Sequence, residues 1–385
     1  MDNNEILHNE NPDVLNEMAE ENALPHKPKK KRWLIWTVIV VIVAILAGCA
    51  AFFVPKLLKK PSNHKTLATG MDHTVALLDD GTVVATGRNE YGQCNVSDWE
   101  DIISIDAAYS YTVGLKSDGT VVVAGFIDGD VSGWTDIVEV YAMPQRLIGL
   151  KSDGTVAITN DTYPVYVEPG KTEERKYGLD SWTNIVDIAF HDLGKVVIVG
   201  LKEDGTVVAA GENTSGQCDV SGWTDIVSVS TDGSHTLGLK KNGTVVATGN
   251  NEDGQCDVAD WEDIVSITAG YGMTIGVKKD GTVLIAGDTS YGQYDVDDWE
   301  NVVAVYGDFL KAYALQSDGT VLTPYPEMKD WTDIVSICVE ADRIIGLKKN
   351  GTLVCNELID DSNKYGECDI DEWNGIRIPE TKTIR

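Results

Sequence analysis

The chain has 385 residues and a formal net charge of −30, with Gly (37) and Trp (10) frequent and Pro (11) sparse. So acidic a chain repels phosphate backbones, which argues against nucleic acid as a partner and favours neutral or basic ones. Frequent Gly and aromatics without long helix-forming runs point to many short strands joined by tight turns.

Residues 1–32 are polar and acidic and read as a disordered cytoplasmic tail. Trp33–Val54 is an uncharged apolar run long enough for a membrane-crossing helix. Lys29, Lys30, Lys31 and Arg32 before it favour a cytoplasmic amino terminus. The expectation is a single-pass membrane protein with an extracytoplasmic domain, residues 55–65 serving as linker. Leu46-Ala47-Gly48-Cys49 leaves open the alternative of a lipoprotein anchored at Cys49.

From Thr66 the chain repeats itself. Asp/Asn-Gly-Thr-Val/Leu recurs with its Gly at 81, 119, 154, 205, 243, 281, 319 and 351. A second landmark, Trp-x-Asp/Asn-Ile/Val, begins at Trp99, Trp134, Trp182, Trp223, Trp261, Trp299 and Trp331, and a degraded version begins at Trp373. Asn-Gly or Asp-Gly supplies the positive φ of a tight hairpin, and the Thr and Val that follow suit a pleated strand. Four residues before each turn Gly lies Leu, or Val277 in one unit, and five before it only Gly or Ala. A large residue beside a tiny one fits a tapering core between twisted sheets, with the Trp side chains wedged between neighbours. The expected fold is all-β: a closed β-propeller of eight repeats of about 38 residues over 66–380, preceded by the transmembrane helix, with seven blades as the alternative. The spare landmark at Trp373 suggests a carboxy-terminal strand that closes the ring beside the first unit. Between Ile158 and Trp182 a longer loop replaces the usual connection.

The run HTLGLKKNGTVVATGNNEDGQCDVADWEDIVSITAG (His235–Gly270) resembles the repeats of the regulator of chromosome condensation family. It is closer still to the three-stranded units of propeller-type β-lactamase inhibitor proteins and related bacterial membrane-anchored proteins. The resemblance spans roughly Thr66 to Pro379. It implies a propeller fold, and it implies that loops of one face form the working surface.

Candidate site residues come from divergence between units. Eight residues before the turn Gly stand His73, Tyr111, Arg146, Val197, His235, Met273, Lys311 and Arg343; ten before it stand Met71, Tyr109, Pro144, Lys195, Gly233, Tyr271, Phe309 and Ala341. A loop face built on Met71, His73, Tyr109, Tyr111, Arg146, Tyr271, Met273, Phe309, Lys311 and Arg343 has the aromatic, Met and Arg content of a protein-binding surface. The expected function is an extracytoplasmic scaffold binding a protein or cell-wall ligand. The alternatives are inhibition of a secreted or wall-associated enzyme, or nucleotide exchange on a small GTPase if the domain is cytosolic. No nucleophile, phosphate-loop or zinc motif occurs in the sequence, so neither catalysis nor a cofactor is expected. Cys94, Cys218, Cys256 and Cys368 share one repeat position, too far apart on a ring to pair, and are expected as buried thiols.

Overall fold

The computed structural model describes residues 64–379, apart from 169–170, 193, 289–295, 297, 309–310, 324–327, 329, 341–342 and 358–362. The first sheet comprises β1 (Leu67–Gly70), β2 (His73–Leu77) and β3 (Val83–Gly87), and the second β4 (Ile102–Ala108), β5 (Tyr111–Lys116) and β6 (Val121–Gly125). The third comprises β7 (Ile137–Met143), β8 (Arg146–Lys151) and β9 (Val156–Ile158), followed by an inserted hairpin, β10 (Thr162–Glu168) and β11 (Lys171–Lys176). The fourth and fifth are β12 (Ile185–His191), β13 (Val197–Lys202), β14 (Val207–Gly211) and β15 (Ile226–Thr231), β16 (His235–Lys240), β17 (Val245–Gly249). The sixth and seventh are β18 (Ile264–Gly270), β19 (Met273–Lys278), β20 (Val283–Gly287) and β21 (Val302–Asp308), β22 (Lys311–Gln316), β23 (Val321–Leu322). The eighth is β24 (Ile334–Glu340), β25 (Arg343–Lys348) and β26 (Leu353–Glu357). Among the described residues there are thus eight three-stranded antiparallel sheets, one for each turn motif.

One expectation is corrected. The segment 33–54 and the tail before it lie outside the described residues, and among the described residues no helix is long and apolar enough to cross a membrane. The described chain is short strands with a 3-10 turn at Leu179–Ser181, each element far below the length of a bilayer-crossing helix. Among the described residues the fold class is therefore an all-β series of three-stranded sheets, with no transmembrane helix. The single-pass assignment that rested on that helix falls with it.

First strands succeed one another: β1 packs beside β4 and β4 beside β7; β12 meets β8 of the third sheet; then β12, β15, β18, β21 and β24 follow in turn, and β24 returns to β1. Between the third and fourth sheets Tyr141 meets Phe190 edge to face, with centroids 6.3 Å apart. The ring is joined by a shared strand. Ile376 bridges Leu78, the Arg377 amide donates to the Leu77 carbonyl at 2.9 Å, and the Asp79 amide donates to the Gly375 carbonyl at 3.0 Å. In the second sheet the equivalent place is the start of β4, where Ile102 pairs with Lys116. The short β1 therefore lacks its opening residue, and the carboxy-terminal segment supplies it. The landmark at Trp373 that looked degraded keeps its geometry. Gly375 has φ 69°, in the same left-handed region as Asp101, Asp136 and Asp225 at 61°, and Gly enters that region without steric cost.

Each repeated residue has a physical role. At every turn the Asp or Asn side chain accepts from the Thr two residues on; Asp118 Oδ1, for example, takes the Thr120 amide at 2.9 Å and its hydroxyl at 2.6 Å. These hydrogen bonds hold the Asp118 carboxyl below the usual carboxylate range. The Leu row is buried: Leu77, Leu115 and Leu347 are wholly inaccessible, each contributing about 2 kcal/mol relative to exposure. The Gly beside it is required by the indole. A Cβ on Gly114, Gly149, Gly200, Gly238 or Gly346 would lie 2.7–2.8 Å from the ring of Trp99, Trp134, Trp182, Trp223 or Trp331. Trp99 lies among Val75, Leu77 and Val83 of the first sheet and Ile102 and Ile105 of the second, which makes it a wedge between sheets.

A second correction concerns the cysteines. Cys355 and Cys368 form a disulfide within the eighth unit, with Cα atoms 5.7 Å apart. Cross-unit distance, the reason to expect thiols, does not apply to a bridge within one unit. Cys94, Cys218, Cys256 and Cys338 are free.

Candidate functional site

The strands fix two faces. β2 runs from His73 toward the Asp-Gly-Thr turn, and β3 returns to pair Gly87 with His73. The short turns between first and second strands therefore share one face with the loops that leave each third strand. Backbone hydrogen bonds tie the two together: Arg88 N to Asp72 O (2.8 Å), Phe126 N to Ser110 O (3.0 Å) and Asn250 N to Ser234 O (2.9 Å). This is the loop face on which the candidate residues were expected.

Those residues eight before the turn Gly whose burial is described are not on its surface. His73, Tyr111 and Met273 are wholly buried, Arg343 is 4% exposed, and the Arg146 side chain is 12% exposed. Each of those named opens a second strand, so its side chain enters the space between sheets instead of solvent; Lys311 likewise opens β22. Their variation belongs to an inter-sheet collar. His73 Nε2 meets Thr112 Oγ1 of the second sheet at 3.0 Å, and that hydroxyl donates to the Gln93 carbonyl at 2.8 Å. With its one proton so committed, Thr112 accepts from His73, which is neutral with hydrogen on Nε2. Burial, reinforced by the positive charge of Arg343, pushes the His73 pKa down to about 4. The Tyr111 hydroxyl reaches the third sheet, donating to the Arg146 carbonyl at 2.6 Å and accepting from the Met143 amide at 3.0 Å. Arg146 reaches the inserted hairpin and the fourth sheet, through Tyr177 Oη at 2.9 Å and Asp192 Oδ2 at 3.5 Å. Burial raises Asp192 to about 6 against the opposing pull of Arg146. Arg343 crosses from the eighth sheet to the first, donating to Gly70 O at 2.6 Å and His73 O at 3.3 Å, with Glu367 Oε1 4.0 Å away.

One collar member aligns like a catalytic relay. Asp232 Oδ1 lies 2.9 Å from His235 Nδ1, and His235 Nε2 lies 2.9 Å from Thr274 Oγ1. Burial would raise Asp232, yet hydrogen bonds from His235 and Ser234 hold it down to about 2. His235 and Thr274 are wholly buried, and the Thr274 hydroxyl donates to the Gln255 carbonyl at 2.7 Å. A hydroxyl so placed meets no substrate, and the array works as an inter-sheet bond.

The residues ten before the turn Gly behave differently. Ala108 pairs with Tyr111 and Gly270 with Met273 across two-residue turns, so the first turn residue projects outward. Met71 is 51% exposed, Tyr109 43% and Tyr271 70%. Phe309 lies outside the described residues. Around Met71 and Tyr109 the structure adds aromatics the repeat comparison had passed over: Tyr91, Phe126 and Tyr365, all exposed. Tyr91 and Phe126 face each other with centroids 6.4 Å apart. The Arg88 guanidinium sits 5.2 Å above the Tyr365 ring and pairs with Glu90 and with Asp72, the neighbour of Met71. Ser110, next to Tyr109, donates to the Phe126 carbonyl at 3.2 Å. The eighth, first and second units thus share one contiguous patch, with Tyr271 on the sixth unit outside it. For Tyr91 and Tyr365 the signal was available: two before the buried Gln or Glu of the loop stand Tyr91, Ser215, Asp253 and Tyr365.

A ring of short sheets presenting loops on one face is a repeat β-propeller. The repeat places it more closely: residues 65–93 and 226–255 match the regulator of chromosome condensation (RCC1) repeat, so the propeller carries RCC1-like repeats. Similar solved structures include the CRINKLY WD40 ectodomain of the Arabidopsis thaliana receptor kinase ACR4, at 15% identity, 83% of this chain and 100% of that one, TM-score 0.46. The computationally designed Ika8 protein is similar at 14% identity, 77% of this chain and 97% of that one, TM-score 0.48. Prp20p of Saccharomyces cerevisiae, described with its binding to Gsp1p and histones, is similar at 18% identity, 82% of this chain and 77% of that one, TM-score 0.35. No curated protein matches the chain in sequence.

Proposed function

We propose that this RCC1-like propeller is a binding scaffold for a protein partner, not an enzyme, and that it engages the partner through the patch shared by the eighth, first and second units. The observation that carries this reading is the joined exposure of Met71, Tyr91, Tyr109, Phe126 and Tyr365 around Arg88. Exposed aromatics grouped with Arg are the residues that dominate protein recognition. The backbone amides of three of them are held, Tyr91 by the Gln93 side chain, Phe126 by the Ser110 carbonyl and Tyr365 by the Glu367 side chain, which lowers the ordering entropy of binding. The acidic charge of the chain favours a neutral or basic partner. The collar histidines are spent on bonds between sheets, which leaves the loop face to recognition.

The test compares the wild-type domain with a Tyr91→Ala, Phe126→Ala, Tyr365→Ala variant in affinity capture, with Tyr271→Ala as control. The triple variant should lose the captured protein while the control keeps it. Equal capture by the folded triple variant refutes the assignment of the patch.

A further inference from the structure

We propose that Cys355 and Cys368 form a thiol–disulfide exchange site that clasps the ring at its seam and is opened by a dithiol reductant. The pair is specific to the eighth unit. At the place of Cys355, the units whose loops hold Cys94, Cys218 and Cys256 have Ala85, Ala209 and Ala247. Those three thiols have no partner sulfur at that place and instead lie against backbone carbonyls, at 3.4 Å from Arg88 O, 3.2 Å from Glu212 O and 3.2 Å from Asn250 O. Burial pushes each of them up to about 11, so they contribute little thiolate to exchange.

The bridge stands where the ring is joined. Cys355 packs with Leu67 and Ala76 of the first sheet, Ile345 and Leu347 of the eighth, and the closing Ile376. Cys368 follows directly on the residues that grip the first sheet: Thr74 donates to the Glu367 carbonyl at 2.8 Å and Thr86 to the Gly366 carbonyl at 2.8 Å. Fixing Cys368 to β26 therefore fixes the grip. Cys355 is partly exposed, whereas Cys368 is 8% exposed, so Cys355 Sγ is the sulfur an incoming thiolate reaches. That thiolate bonds to Cys355 Sγ, and Cys368 leaves as thiolate and takes a proton. The second thiol of the reductant then displaces Cys355 as thiol. The protein disulfide gains two electrons, and the dithiol becomes a disulfide. The clasp is independent of whether the loop face binds a partner.

The test combines non-reducing peptide mapping with amide hydrogen exchange, with and without dithiothreitol. The exchange readouts are the Asp79 and Arg377 amides, whose hydrogen bonds cross the seam. The expected result is a linked Cys355–Cys368 peptide and several-fold faster exchange at both amides after reduction. The Ser117 amide, which makes the same bond between the first and second units, should be unchanged. A Cys355→Ala, Cys368→Ala variant should exchange at the reduced rate whether or not dithiothreitol is present. Alkylation of Cys355 as a free thiol in oxidised native protein overturns the proposal. So does seam exchange that ignores the reductant in the wild type.

Discussion

Replacing Gly276 by Ala tests the reason for the small residue in each unit. The added Cβ would stand 2.5 Å from Cζ3 and 2.8 Å from Cε3 of Trp261, and 3.3 Å from Cδ1 of Ile264. Carbon atoms rest at about 3.5–4.0 Å, so the indole must move by roughly 1 Å. Trp261 is 8% exposed and packs with Leu237, Leu239, Val245, Val258 and Ile267, which leaves it no space to move into. Overpacking of this kind costs about 1–3 kcal/mol, and the strand preference of Ala over Gly returns a fraction of a kcal/mol. The expected loss is about 1–2 kcal/mol, read from the urea midpoint with unchanged slope. Ala76 and Ala314 occupy the same place in two other units, so the fold itself should survive. Trp261→Phe removes the clashing atoms; in that background Gly276→Ala should cost less than about 0.5 kcal/mol, a coupling visible in a double-mutant cycle. Additive losses, or no loss from Gly276→Ala alone, would refute the account.

Two further outcomes concern the collar. Arg343→Met strands the Gly70 carbonyl and leaves Glu367 buried without its cation, and should cost about 3 kcal/mol in chemical unfolding. Adding Glu367→Gln should restore part of it, because Gln93, Gln217 and Gln255 hold that position in other units. The second outcome is pH dependence. His73 has a folded pKa of about 4 against 6.5 for the unconstrained side chain. Its neutral form suits the fold, so stability is full above pH 6.5 and falls as pH drops from 6.5 toward 4, by at most about 3 kcal/mol. His73→Gln should flatten that segment of the stability–pH curve, and an unchanged slope would show that His73 does not titrate in this way.

The repeat count, the turn positions and the closing role of the segment after Trp373 could all be read from residues alone, because an Asp-Gly-Thr turn has one local geometry wherever it occurs. The collar could not. Tyr111 and Tyr109 are two residues apart, both aromatic and both variable between units, yet one opens a strand and the other tops a turn. A strand boundary placed one residue late turns a buried hydrogen-bonding side chain into an apparent surface one. Tyr91 and Tyr365 stand in loops whose pattern is dominated by the repeated Gln or Glu and Cys that hold them, and Phe126 stands in a loop that has neither. The tiny residue five before each turn was recognised, but its cause, a single indole plane from the preceding loop, is a contact between segments that no local pattern spells out.

The borrowed strand at the seam also sets an order of events during synthesis. Every other sheet opens on residues made shortly before its own second strand; the first waits for Ile376, nearly three hundred residues later in sequence. On the ribosome the growing protein is an open arc whose leading sheet shows an unfilled edge until the last repeat emerges. The earliest unit to be made is therefore the last to be finished, and throughout elongation it is the one exposed to mispairing with another chain.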